Sequence, residues 1–88
     1  HSRRMSFTQE INIIGQTTAD GVEKLDRYLD DAVLAGAEAV RIVHGKGTGA
    51  LRKAVQDFLA RDSRVASWRQ AAYGEGDSGV TLAELKNG

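Results

Sequence analysis

Two short β-branched runs, Ile11-Asn12-Ile13-Ile14 and Ala39-Val40-Arg41-Ile42-Val43, bracket a stretch whose apolar residues recur every three or four positions. This arrangement constrains the fold more than any other feature. A strand, a crossover helix and a second strand form a right-handed unit, and such units favour parallel pairing. The helix is read from Val22, Leu25, Leu29, Ala32 and Val33 on one face. Glu23, Lys24, Asp26, Arg27, Asp30 and Asp31 fill the other, which reads as a solvated surface. Thr17 or Thr18 can cap its start, with Asp20 in the first turn, and Gly36 is suited to end it. The first strand runs from Ile11 to the boundary at Gly15, and the second from Ala39 to Val43.

A second helix is expected after the glycines at 45, 47 and 49, with Ala50, Leu51, Ala54, Val55, Phe58 and Leu59 in helical period and Arg61 in its last turn. Asp62-Ser63-Arg64 breaks that pattern. Val65–Ala72 and Val80–Leu85 read as the third and fourth strands, joined through the loop Tyr73–Gly79. The order β-α-β-α-β-β predicts an α/β (α+β) two-layer sandwich: a four-stranded mixed sheet with two helices on one face. Strands two and three are expected to pair in parallel through the second crossover, with the fourth as an antiparallel edge. Residues 1–5 read as a linker or scar and 6–88 as one domain.

An 88-residue chain that is 41% hydrophobic and 27% charged can close one core without covalent staples. It has no Cys, which removes thiol nucleophiles and disulfides and is compatible with a cytoplasmic setting. His1 and His44, its only imidazoles, are too far apart to form a spaced zinc motif, and no apolar run is long enough to span a bilayer. Twelve bases balance twelve acids, yet they segregate. Residues 6–40 hold two bases against seven acids, and residues 41–69 hold seven bases against two acids. A basic half on a neutral chain suits a polyanionic partner.

The densest chemistry lies at His44-Gly45-Lys46-Gly47-Thr48-Gly49, where a strand ends and a helix begins. First-turn amides point outward at such a junction, and glycines let a phosphate approach the backbone. Gly45, Gly47, Thr48 and Gly49, with Arg52 and Lys53, are therefore expected to hold phosphate. His44 is placed to transfer a proton, and Lys46 to stabilise charge on phosphoryl oxygens. Glu75 and Asp77, in the loop before the fourth strand, can approach the site if that strand lies beside the second, and Glu75 is a further candidate for a chemical role. The string Gly45 to Ala50 formally fits a dinucleotide fingerprint, but no acid follows about twenty residues on, where Ser67, Trp68 and Arg69 stand. A Walker A string is absent as well. No carboxylate cluster suggests a metal site: Asn12 is a neutral donor where an acid would be needed.

The run Val40-Arg41-Ile42-Val43-His44-Gly45-Lys46-Gly47-Thr48-Gly49, followed by Leu51-Arg52 and Val55, resembles the Smr (small MutS-related) domain, as does Gly74-Glu75-Gly76-Asp77-Ser78-Gly79-Val80-Thr81. The resemblance extends from about Ile11 to Leu85. It implies a βαβαββ sandwich similar to the C-terminal domain of a bacterial translation initiation factor. It also implies a nicking endonuclease acting on DNA or RNA, carried at the C-terminus of a MutS-like ATPase. The family's His-Gly-x-Gly motif falls on His44, Gly45, Lys46 and Gly47. A second motif, Leu-Asp-Leu-His-Gly, is replaced here by Ile11-Asn12-Ile13-Ile14-Gly15, without its acid or its imidazole, a departure common among members attached to MutS-like ATPases. The alternative implied is a non-catalytic module that binds DNA, RNA or the ribosome and targets the parent ATPase. No cofactor is expected within the domain, and a need for Mg²⁺ or Mn²⁺ is left open.

Overall fold

A computed structural model describes residues 8–74 and 77–86. Residues 1–5, expected to be a linker or scar, and Glu75 lie outside the described residues. The elements are β1 (Glu10–Asn12), α1 (Thr18–Leu34), β2 (Ala39–Val43), α2 (Ala50–Arg61), β3 (Val65–Gln70) and β4 (Val80–Leu85), with a single 3₁₀ turn at Asp77–Gly79. β1 is shorter than the isoleucine run suggested. Its ladder continues one step through the Ile13 N–H to the Val43 carbonyl, after which Asn12 Oδ1 accepts the Ile14 N–H at 3.0 Å and turns the chain. β3 stops at Gln70 rather than Ala72.

The caps of α1 form from the residues the sequence marks. Thr17 Oγ1 accepts the Asp20 N–H at 3.1 Å. At the other end Gly36, at φ +74°, lets its own N–H reach the Val33 carbonyl and that of Ala37 reach the Ala32 carbonyl. With the Ala35 N–H on the Asp31 carbonyl, these bonds satisfy three of the last four carbonyls of the helix.

The sheet order is β1-β2-β4-β3, with β1 and β2 parallel and β4 antiparallel to both neighbours. This corrects two expectations: β4 is inserted between β2 and β3, so strands two and three do not pair, and the edge strand is β3. The reason is burial. β4 hides Val80, Thr81, Ala83 and Leu85, whereas Ala66 to Gln70 of β3 are exposed and tolerate an edge. Val40 and Ile42 alternate toward the helices and join Leu25, Leu29, Ala32, Val55, Leu59, Ala83 and Leu85 in one core. Both helices thus cover one face of the sheet. Glu10, Arg41, Leu82, Glu84 and Arg69 lie in register on the opposite face, where Glu10 and Arg41 form an ion pair at 3.0 Å. Among the described residues, no helix is long and apolar enough to cross a membrane.

Arg64 fastens the helical layer from below. Its guanidinium meets Asp26 at 2.7 Å, Asp30 at 2.6 Å and Asp62 at 2.6 Å. Asp26 and Asp30 are therefore not simply a solvated face, and Arg64 does not contribute a free charge to the basic half.

Candidate functional site

β2 delivers His44 to the start of the glycine loop, and α2 begins where that loop ends. Gly45 and Gly49 adopt φ +79° and +90°, conformations costly for any residue with a Cβ. Opposite them runs the β1–α1 turn, Ile14 to Thr18, and the two segments enclose a cleft of about 360 Å³ that extends to Arg52. The N-termini of α1 and α2 thus open on the same cleft, each with the positive end of its helix dipole.

The two ends differ in one respect. Thr17 caps α1, but the N-cap of α2 is Gly49, which has no side chain to offer. Thr48 Oγ1 accepts the Ala50 N–H at 3.3 Å, which leaves the next amides of the first turn without a side-chain cap. Among the described residues, the Lys46, Gly47 and Thr48 N–H groups have no hydrogen-bond partner either. Donors without acceptors, at the positive ends of two helices, suit an anion.

His44 contributes to the lining of this cleft, but its ring is turned inward. The side chain is buried, with the residue 4% exposed, and both ring nitrogens are engaged: Nδ1 lies 2.9 Å from the Gly45 carbonyl and Nε2 lies 2.8 Å from Thr81 Oγ1. Burial lowers its pKa below the ordinary histidine value; the Gly45 carbonyl opposes that shift, and the charge of Arg52 adds to it. The ring is therefore neutral at pH 7. Gln56 Nε2 donates to the same Thr81 oxygen at 3.1 Å. Neither Gln56 nor Thr81 stood out in the sequence. The available signal was a threonine on the face of β4 that otherwise carries Ala83 and Leu85.

The β3–β4 loop packs against the glycine loop. The Gly79 carbonyl accepts both the His44 and Gly45 N–H groups, at 3.0 and 2.9 Å. Asp77, at φ +58°, places its carboxylate 3.2 Å from Lys46 Nζ. Among the described residues, Asp77 is the acid paired with the loop's Lys46. Arg52 folds back toward the loop, close enough that a Cβ on Gly49 would lie 3.1 Å from its Nη2. Lys53 does not line the cleft; it pairs with Asp57 one turn along α2, at 3.2 Å. Trp68 falls in register beside Ala83, on the helix side of the sheet, and does not line the cleft. Among the described residues, no three His, Asp or Glu side chains gather as metal ligands.

Residues 11–86 match the family described as Smr domain. The chain is 53% identical over 85 residues to a protein of Agathobacter rectalis named endonuclease MutS2, a match that spans 97% of this chain but 11% of that protein's length. The crystal structure of the Smr domain of Thermus thermophilus MutS2 superposes with a TM-score of 0.88 at 42% identity, covering 90% of this chain and 99% of the other. YdaL, a stand-alone small MutS-related protein from Escherichia coli, shares the fold with a TM-score of 0.83 at 22% identity, over 90% of this chain and 65% of its own.

Proposed function

The chain belongs to the Smr domain family, and from that premise we propose that it binds the phosphodiester backbone of DNA or RNA and nicks it, as one module of a longer MutS-like ATPase. The observation that carries the reading is the cleft in which a glycine loop with unpartnered amides meets two helix N-termini. A phosphodiester fits such a site because its charge is spread over oxygens that need several donors at once. Lys46 and Arg52 add positive charge at the rim, where negative charge would grow on the phosphoryl oxygens during cleavage. The name endonuclease carried by the MutS2 relatives supports cleavage as the chemistry.

A second reading, a module that holds nucleic acid without cutting it, is favoured by one observation. His44 is buried with both nitrogens bonded, so direct proton transfer to a phosphodiester would require the ring to release the Gly45 carbonyl. Incubation of the chain and its His44→Ala variant with supercoiled plasmid, with Mg²⁺ or Mn²⁺ and with EDTA, separates the two. Conversion to open circle that falls by about 10²-fold or more in the variant supports nicking dependent on His44. Plasmid binding by both proteins with no open circle supports the holding module, and absence of binding refutes both.

A further inference from the structure

A chain of three hydrogen bonds, the middle one buried and the outer two part-buried, runs from α2 to the glycine loop, and the Gly45 carbonyl at its end sets their directions. The Gly45 carbonyl can only accept, so the His44 nitrogen 2.9 Å away, Nδ1, carries the ring proton. Nε2 of the neutral ring is then an acceptor, and the Thr81 hydroxyl 2.8 Å away donates to it. The Thr81 oxygen in turn takes the Gln56 Nε2–H at 3.1 Å. Thr81 is fully buried, and its bond to the His44 ring is shielded from solvent.

The carbonyl that ends this chain belongs to the Gly45–Lys46 peptide. That peptide is trans and planar, so its C=O and N–H point in opposite directions. Turning the Gly45 oxygen toward the buried ring turns the Lys46 N–H away from it, to the cleft side, where it has no partner among the described residues. Gly45 has no Cβ to resist rotation, so the peptide needs a separate restraint. Rotated the other way, it would present a carbonyl oxygen to an incoming phosphate.

We propose that Thr81 and Gln56 are positioning residues: Thr81, held by Gln56, supplies a donor to His44 Nε2 and so favours the Nδ1–H tautomer, whose proton holds the Gly45 carbonyl inward and presents the Lys46 N–H to a phosphate oxygen. The proposal rests on the reading of the cleft as a phosphate site, and it applies whether or not the bound strand is cut.

The test uses the ¹⁵N-labelled 88-residue chain, in which His44 shares the spectrum with His1 alone. Long-range ¹H–¹⁵N correlations should give one Nδ1–H tautomer for His44. Thr81→Val should mix the tautomers and weaken binding of a fluorescein-labelled single-stranded oligonucleotide by about 10-fold, the cost of one misdirected donor to a charged oxygen. Thr81→Ser, which restores the hydroxyl, should recover both readouts. Gln56→Leu, on half-buried α2 surface, should weaken binding in the same direction and serves if Thr81→Val does not fold. An Nδ1–H tautomer unchanged by Thr81→Val, or equal weakening by Val and Ser, overturns the proposal. A wild-type chain that holds the tautomer but binds no oligonucleotide overturns the phosphate reading beneath it.

Discussion

Replacing Arg64 with Met should separate stability from nucleic-acid binding. The guanidinium is one-fifth exposed and meets three carboxylates at 2.6 to 2.7 Å. The Asp62 contact is doubled through Nε at 2.8 Å, and Asp62 is only 10% exposed. Losing the guanidinium leaves that carboxylate with only the Arg64 backbone N–H, at 2.8 Å, and costs about 2–3 kcal/mol, below the cost of a fully buried pair because some solvent reaches both groups. Asp26 and Asp30 are more than half exposed and contribute about 0.5 kcal/mol each. The sum, about 3–4 kcal/mol, corresponds to roughly 12–25 °C in Tm for a chain of this size. Urea and thermal unfolding at pH 7 measure it, and adding Asp62→Asn should return part of the loss by removing the stranded charge. Three acids already neutralise Arg64, so Arg64→Met should leave the salt dependence of oligonucleotide binding unchanged. Arg52→Met should do the opposite, lowering the slope of log K against log salt by about 0.7 to 0.9. A Tm loss below about 4 °C, or a slope that falls as far for Arg64→Met as for Arg52→Met, refutes the reasoning.

The neutral, buried His44 has a lowered pKa, so the unfolded chain takes up the proton more readily. Stability should be complete above about pH 6.5 and decline as pH falls from there to the lower folded value, and the decline should vanish in a Tm series on His44→Asn. Asp77→Gly removes both a left-handed aspartate and the partner of Lys46, so oligonucleotide affinity measured by fluorescence anisotropy should rise about two- to fivefold. Gly49→Ala forces a Cβ into the left-handed region and to within 3.1 Å of the Arg52 guanidinium; unfolding should show a loss of about 1–2 kcal/mol, with weaker binding as Arg52 is displaced.

Local signals were legible and long-range partners were not. Thr17, Gly36 and the bounds of β2 and β4 depend on residues within a few positions of one another, where capping and alternation operate. The order of strands depends on which strand can be hidden on both sides. Ser67-Trp68-Arg69-Gln70 is too polar for the centre of a sheet, whereas Val80-Thr81-Leu82-Ala83 is not. That contrast is present in the sequence, and it outweighs the crossover rule in deciding which strand lies inside the sheet. The glycine loop was legible because its shape is dictated by its own residues. Gln56 and Thr81 were not, because Thr81 meets His44 across 37 positions and Gln56 meets Thr81 across 25, and a hydroxyl on a core face identifies no partner in advance.

Pairing across the fold also changes what the charge segregation means. Of the seven bases between residues 41 and 69, Arg41, Lys46, Lys53 and Arg64 each have a carboxylate within 2.6 to 3.2 Å. Seven free cations on a phosphate backbone would give a slope of about 5 to 6 in log K against log salt, at 0.7 to 0.9 per contact. A site built chiefly from backbone amides and helix ends, with Arg52 and a partly neutralised Lys46 at its rim, releases few counterions. Its slope should be on the order of 1 to 2. Affinity measured from 50 to 300 mM KCl decides between them. A slope near 5 would mean that the basic half, rather than the glycine cleft, holds the strand.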